Sequence, residues 1–184
     1  LLLLLLVLAT MLSFSSATAV PTRPDVEFVR SSCRSTRYPA LCEQCLAGYA
    51  GTVRRSPRQL ANAALTVTLA RAQSASAFVG RLAPGAARPP GGGAVRDCVD
   101  TVRSSVDQLQ RSLRELQRMG RPGTPRFAWC LSNVQTWVSA ALTDQTTCLD
   151  GLSGAARLDP RLRAAIRGRI VDLTQVTSNA LALV

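Results

Sequence analysis

Between Asp97 and Met119 the residues Cys98, Val102, Val106, Leu109, Leu113 and Leu116 recur at steps of four, four, three, four and three. Only an α-helix gathers such a series onto one face, and a stripe that long must be buried against other elements. The pattern returns in Leu131, Val134, Val138, Ala141, Gln145 and Cys148, closed by Gly151, and again in Leu162, Ile166, Ile170, Leu173, Val176, Ala180 and Leu183. Asp159-Pro160 opens that last helix as N-cap and first helical residue. A fourth helix is expected from Pro57 to about Val79, capped by Ser56, with Leu60, Ala64 and Val67 inward.

Four such helices joined by short loops predict an all-α, up-and-down four-helix bundle over 56–184. Gly120, Pro122, Gly123 and Pro125 end the helix over Asp97–Met119, whose opposite face offers Arg103–Asp107 and Arg111–Glu115 as pairs four apart. The stretch Pro84 to Gly93 reads as a flexible Pro/Gly-rich connection. Upstream, 20–55 is shorter, more polar and holds three cysteines; it reads as a helical hairpin or arm preceding the bundle.

Composition narrows the chemistry. All 22 basic residues are arginine, there is no lysine or histidine, and 11 acids leave a formal charge of +11. The commonest general base and the usual Schiff-base and phosphate-binding side chains are therefore missing. Asp97 and Asp100 are expected in the first turn of their helix, where they suit its dipole, and no carboxylate pair is placed for acid–base work. The expectation is a protein that is not an enzyme and needs no cofactor or metal.

The amino terminus, LLLLLLVLATML followed by SFSSATAV, has no charge before Arg23. Its dozen apolar residues match the core of an export signal and fall short of the roughly 20 a bilayer span requires. Ala17-Thr18-Ala19 supplies small residues for cleavage after Ala19, so 1–19 reads as a signal peptide truncated at its start. No membrane association is expected after cleavage.

Export makes bridges the first reading of Cys33, Cys42, Cys45, Cys98, Cys130 and Cys148. Six cysteines allow fifteen pairings, and sequence alone selects none. In an antiparallel bundle Cys98 and Cys148 fall at neighbouring helix ends, which makes their pairing plausible, and Cys33 and Cys42 could close a local loop. Cys45 and Cys130 are then left, paired with each other or free. The Cys42-Glu43-Gln44-Cys45 spacing lacks the further ligands a zinc site needs and the preceding strand of a redox motif.

Three blocks resemble the plant invertase and pectin methylesterase inhibitor family. They are Phe28-Val29-Arg30-Ser31-Ser32-Cys33 with Thr36-Arg37-Tyr38-Pro39-Ala40-Leu41-Cys42, Asp97-Cys98-Val99-Asp100 with Val106-Asp107-Gln108-Leu109, and Val134-Gln135-Thr136-Trp137-Val138-Ser139-Ala140-Ala141-Leu142-Thr143 through Thr147-Cys148-Leu149-Asp150-Gly151. The resemblance implies a secreted four-helix bundle with an amino-terminal hairpin, bridges Cys33–Cys42 and Cys98–Cys148, and stoichiometric inhibition of an enzyme in the plant apoplast or cell wall. It implies pectin methylesterase as target, with acid invertase as the alternative; the Pro-Lys-Phe element of the invertase branch is absent from a chain without lysine. Cys45 and Cys130 are additions to the family pattern. The end at Val184, with no catalytic domain following, is expected of a free inhibitor.

Thr143, Asp144, Gln145, Thr146 and Thr147 form a polar helix end that is a candidate contact surface, while Gln145 could also tuck under the bridge. Trp129 and Trp137 are candidate anchors or core residues, with core favoured for Trp137. The arginines read first as a solvated face and second as a means of holding polyanionic pectin. In that second reading the chain is a basic wall protein without an enzyme target. An aromatic content of 4% and no recognition motif leave nucleic acid unsupported.

Overall fold

The computed structural model describes residues 21–86 and 92–184; the predicted signal peptide, 1–19, lies outside them. Three short helices, α1 (Arg23–Cys33), α2 (Pro39–Leu46) and α3 (Ala50–Val53), precede four long ones. These are α4 (Pro57–Ala86), α5 (Gly92–Arg118), α6 (Pro125–Gly154) and α7 (Pro160–Leu183). They form a ring in which α4 packs on α5, α5 on α6, α6 on α7 and α7 back on α4.

Capping explains the starts. Ser56 Oγ accepts from Gln59 N–H at 3.3 Å, Thr124 Oγ1 from Phe127 N–H at 3.2 Å, and Asp159 Oδ1 from Leu162 N–H at 2.8 Å. A proline follows each cap, with its φ already suited to the first turn. The end of α5 is closed from outside, by the Arg58 guanidinium donating to the carbonyls of Leu116 and Met119.

Helix α4 runs past its expected end at Val79 and through Pro84. Two residues from the terminus, a proline forfeits one backbone bond and crowds the Gly80 carbonyl, a disturbance confined to the last turn. At the other side of the connection α5 begins at Gly92, which puts Asp97 and Asp100 in its second and third turns rather than its first. Their role as dipole partners is withdrawn, because that effect fades within one turn. Of the expected ion pairs, Arg103 reaches Asp100 at 3.9 Å instead of Asp107, and Glu115 accepts from Asn133 Nδ2 at 3.3 Å.

The buried line of α5 differs from the sequence stripe. Ser105 and Ser112 are fully buried, whereas Val106 and Leu113 are half-buried at the edge of the core. A helix touching two neighbours buries a broad arc. The two serines face α6, where small side chains let the backbones approach, and Val106 turns toward Gln73 and Ala77 of α4. Ser112 satisfies its hydroxyl on Gln108 O at 2.9 Å.

The arm shares the core of the bundle. Val29, Cys33, Cys42, Leu46, Ala50 and Val53 belong to the same buried cluster as Leu65, Leu109, Ile166 and Leu173. Helix α2 lies against α4 and α7. Arg71 of α4 makes an ion pair with Asp172 of α7 and donates to Cys45 Sγ at 3.7 Å.

Candidate docking surface

Helices α5 and α6 have 27 and 30 residues, hence lengths of about 40 and 45 Å. They are joined covalently where one begins and the other ends: Cys98 is bonded to Cys148, with their Cα atoms 4.4 Å apart. A second bond joins Cys33 to Cys42, Cα atoms 5.5 Å apart, and closes the turn between α1 and α2. Cys45 and Cys130 are both free, so the alternative of a bond between them falls. Neither is a reactive thiolate: burial pushes the Cys45 thiol up against the pull of Arg71. Cys130 is pushed up by its hydrogen bond to Glu115 and then by burial.

The outward face of α6 is unlike the rest of the surface. Trp129, Thr136, Thr143 and Asp150 are all exposed. They follow one another at seven-residue steps, which keeps them in one line along about 30 Å of helix. Ser132, Ser139, Thr146 and Thr147 flank that line and are also exposed. No arginine occurs between Arg126 and Arg157. In a chain of +11, this line therefore presents hydroxyls, one carboxylate and one indole.

Trp129 is 69% exposed, the only large hydrophobic side chain so exposed among the described residues. Trp137, for which the core was favoured, is half-exposed and stands outside the core cluster. Its position on α6 points it along the flank, because Val134, Val138 and Ala141 already fill the inward arc.

Of the five predicted contact residues, Thr146 is exposed beside this line, and Thr143 and Thr147 lie on this face. Their hydroxyls donate to the carbonyls of Ser139 at 3.1 Å and Thr143 at 2.9 Å, which fixes the oxygens with lone pairs outward. Asp144 is half-buried. Gln145 must be withdrawn as a contact: it is 0% exposed, and its Nε2 donates to Ser105 Oγ at 2.7 Å within the α5–α6 seam. Its place in the apolar stripe of α6 already signalled that position. The exposure of Trp129 had no such signal, since an aromatic near a helix start suits core and surface alike.

No helix among the described residues is long and apolar enough to cross a membrane. Comparison with known proteins identifies the frame that carries this face. The model of the family described as plant invertase/pectin methylesterase inhibitor matches residues 27–183. Pectinesterase inhibitor 9 of Arabidopsis thaliana is 44% identical, the match covering 98% of this chain and 90% of that protein. A 21 kDa protein of Daucus carota is 40% identical over 96% of this chain and 90% of its own length. Among solved structures, a mutant form of a pectin methylesterase inhibitor from Arabidopsis superposes with a TM-score of 0.63 at 22% identity. That match covers 82% of this chain and 91% of the other and concerns the fold alone. The stapled helical frame and the match over nearly its whole described length make this chain a member of the plant invertase/pectin methylesterase inhibitor family, a family of enzyme inhibitors and not of enzymes.

Proposed function

We propose that the chain is a secreted inhibitor of pectin methylesterase in the cell wall, and that it acts by laying the outer face of α6 over the enzyme's active-site cleft. The observation that carries this reading is the arginine-free line of Trp129, Thr136, Thr143 and Asp150 on a helix bonded to its neighbour. An indole offers a large rigid contact at little entropic cost, and fixed hydroxyl oxygens offer acceptors without reorganisation. No bond is made or broken, and methyl-esterified pectin is excluded by bulk.

Size sets a further condition. One helix face about 45 Å long and 11 Å wide covers about 500 Å², whereas a stable interface uses about 800 Å² on each partner. The exposed edge of α5, with Asp97, Asp100 and Asp107, supplies the remainder.

The test is a titration of the chain, expressed through an oxidising secretory pathway, against a plant pectin methylesterase and an acid invertase. Near-stoichiometric loss of methylesterase activity with invertase untouched is expected. Invertase inhibition alone overturns the choice of target, and no effect on either enzyme across isoforms and acidic pH overturns the reading.

A further inference from the structure

The charge of the bundle is segregated by helix pair. Over 92–154, which spans α5 and α6, seven arginines stand against six acids, a net +1. Over 57–86 and 155–184, which hold α4 and α7, eight arginines stand against Asp159 and Asp172 alone, a net +6. Helix α4 has no acid at all. Asp159 is spent on the cap of α7 and Asp172 on Arg71.

The surplus is concentrated further. The arm lies on α4 and α7 near Arg71 and Asn179, where Cys45 meets the first and Tyr38 the second. The carboxyl half of α4 and the amino half of α7 extend beyond those contacts. Arg81, Arg157, Arg161, Arg167 and Arg169 are exposed there and Arg163 is half-buried; Arg163 and Arg167, two residues on from Arg161 and two before Arg169, leave α7 on its other flank. None of the six is in an ion pair among the described residues. The Arg71–Asp172 pair and Arg169 above the Phe78 ring at 5.3 Å fix the antiparallel register. That register sets Arg81 level with 162–166, at the outer edge of α4, where it also borders the groove toward Arg103 of α5.

We infer that this face of α4 and α7 is a second binding surface, for a linear polyuronate, on the side of the bundle away from the α5–α6 docking face. Guanidinium groups pair with carboxylates through two parallel hydrogen bonds, and Arg81, Arg157, Arg161 and Arg169, without acidic partners at the α4–α7 end, suit a chain bearing repeated carboxylates. Nucleic acid fits less well, because single strands need aromatic platforms. The exposed Trp129 is on α6, and Phe78 lies beneath Arg169. The choice of a uronate also rests on the proposed target, since each ester hydrolysed on pectin leaves a carboxylate. Product-rich wall would thus hold the inhibitor with its docking face free.

The experiment is chromatography of the secreted chain on immobilised de-esterified polygalacturonate, on highly methyl-esterified pectin and on single-stranded DNA. At about 0.15 M salt, where screening has a range of about 8 Å, the wild type is retained by polygalacturonate and passes the esterified matrix. The triple variant R81Q/R157Q/R161Q passes polygalacturonate at that salt. R111Q/R114Q/R118Q, which removes the same charge from exposed positions of α5, stays bound. Arg169 is left in place because it covers Phe78, and unchanged melting temperatures certify both variants as folded. Passage of the wild type, equal loss of retention in both triples, or tighter retention on DNA overturns the inference. Inhibition of soluble methylesterase is read separately. R81Q/R157Q/R161Q inhibits like the wild type, and a wild type that inhibits nothing fails the proposed target while retention still decides this surface.

Discussion

Asn179 of α7 holds both backbone groups of Tyr38, 141 residues earlier: its Oδ1 accepts from the Tyr38 N–H and its Nδ2 donates to the Tyr38 carbonyl, each at 2.9 Å. Asn179 is buried, and the two bonds it makes to Tyr38 are partly so. The clamp seats the turn before α2 on the bundle, and Pro39 then starts that helix. Replacing Asn179 by leucine leaves the Tyr38 N–H unpaired, while the Tyr38 carbonyl keeps the bond from the Cys42 N–H at 3.0 Å; an unrelieved donor costs about 1–3 kcal/mol. N179L is expected to lose about 1–3 kcal/mol in urea unfolding, with faster amide exchange in α1 and α2 than in α5 and α6. Uniform exchange across all helices would show that the arm does not open by itself.

Removing the α5–α6 staple acts on the unfolded chain. The bond between Cys98 and Cys148 closes a loop with a sequence separation of 50, and the chain-entropy relation assigns such a loop about 4 kcal/mol. C98A/C148A is expected to be destabilised by about that amount while its folded form keeps the helical content of the wild type. A loss below about 1 kcal/mol would mean that the reduced chain is already ordered in this region.

Gln145 and Ser105 test the withdrawal of a predicted contact. Q145A removes a buried side chain and leaves a cavity together with an unpartnered Ser105 hydroxyl, at about 2–3 kcal/mol. Q145L/S105A replaces the polar pair by apolar groups and is expected to unfold within about 1 kcal/mol of the wild type. Neither change alters the inhibition constant of the folded protein. A weakened constant in stable Q145L/S105A would return Gln145 to the docking surface.

Trp129 and Thr143 read the opposite way. W129A removes an exposed side chain, so stability is expected to shift by no more than about 0.5 kcal/mol, while methylesterase inhibition weakens by about 2 kcal/mol, or about 30-fold. T143R puts a large charged group on the arginine-free line and is expected to weaken inhibition without lowering the melting temperature. Full inhibition by both variants would move the contact surface off α6.

Asp25 gives the amino-terminal helix a pH dependence. Its carboxylate accepts from the Thr22 hydroxyl at 2.5 Å and from the Thr22 N–H at 3.2 Å, and the Thr22 hydroxyl above all holds its pKa below the ordinary value. A carboxylate depressed in the folded state contributes stability above its unfolded pKa of about 3.9 and loses it as pH falls through the folded value. The stability gap between wild type and D25N is therefore constant near neutrality and narrows below about pH 4. Parallel curves through the acid range would remove Asp25 from that role.

Much of this structure is legible in the chain. The three- and four-residue steps require four helices. Ser56 and Asp159 fix two of their starts, since a side-chain acceptor followed by proline satisfies the first free N–H groups whatever packs around them. Thr143 and Thr147 could be placed on a polar helix end for the same local reason. Periodicity, however, names a face only to within the width of the buried arc. Ser105 and Val106 are one residue apart on α5, and which of them meets α6 depends on the direction from which α6 approaches. Tertiary packing decided that, and with it the burial of Gln145 opposite Ser105. It also left Trp129 in solvent and brought Arg81 level with the arginines of α7, because these follow from the order of helices around the ring and not from the period along any one of them.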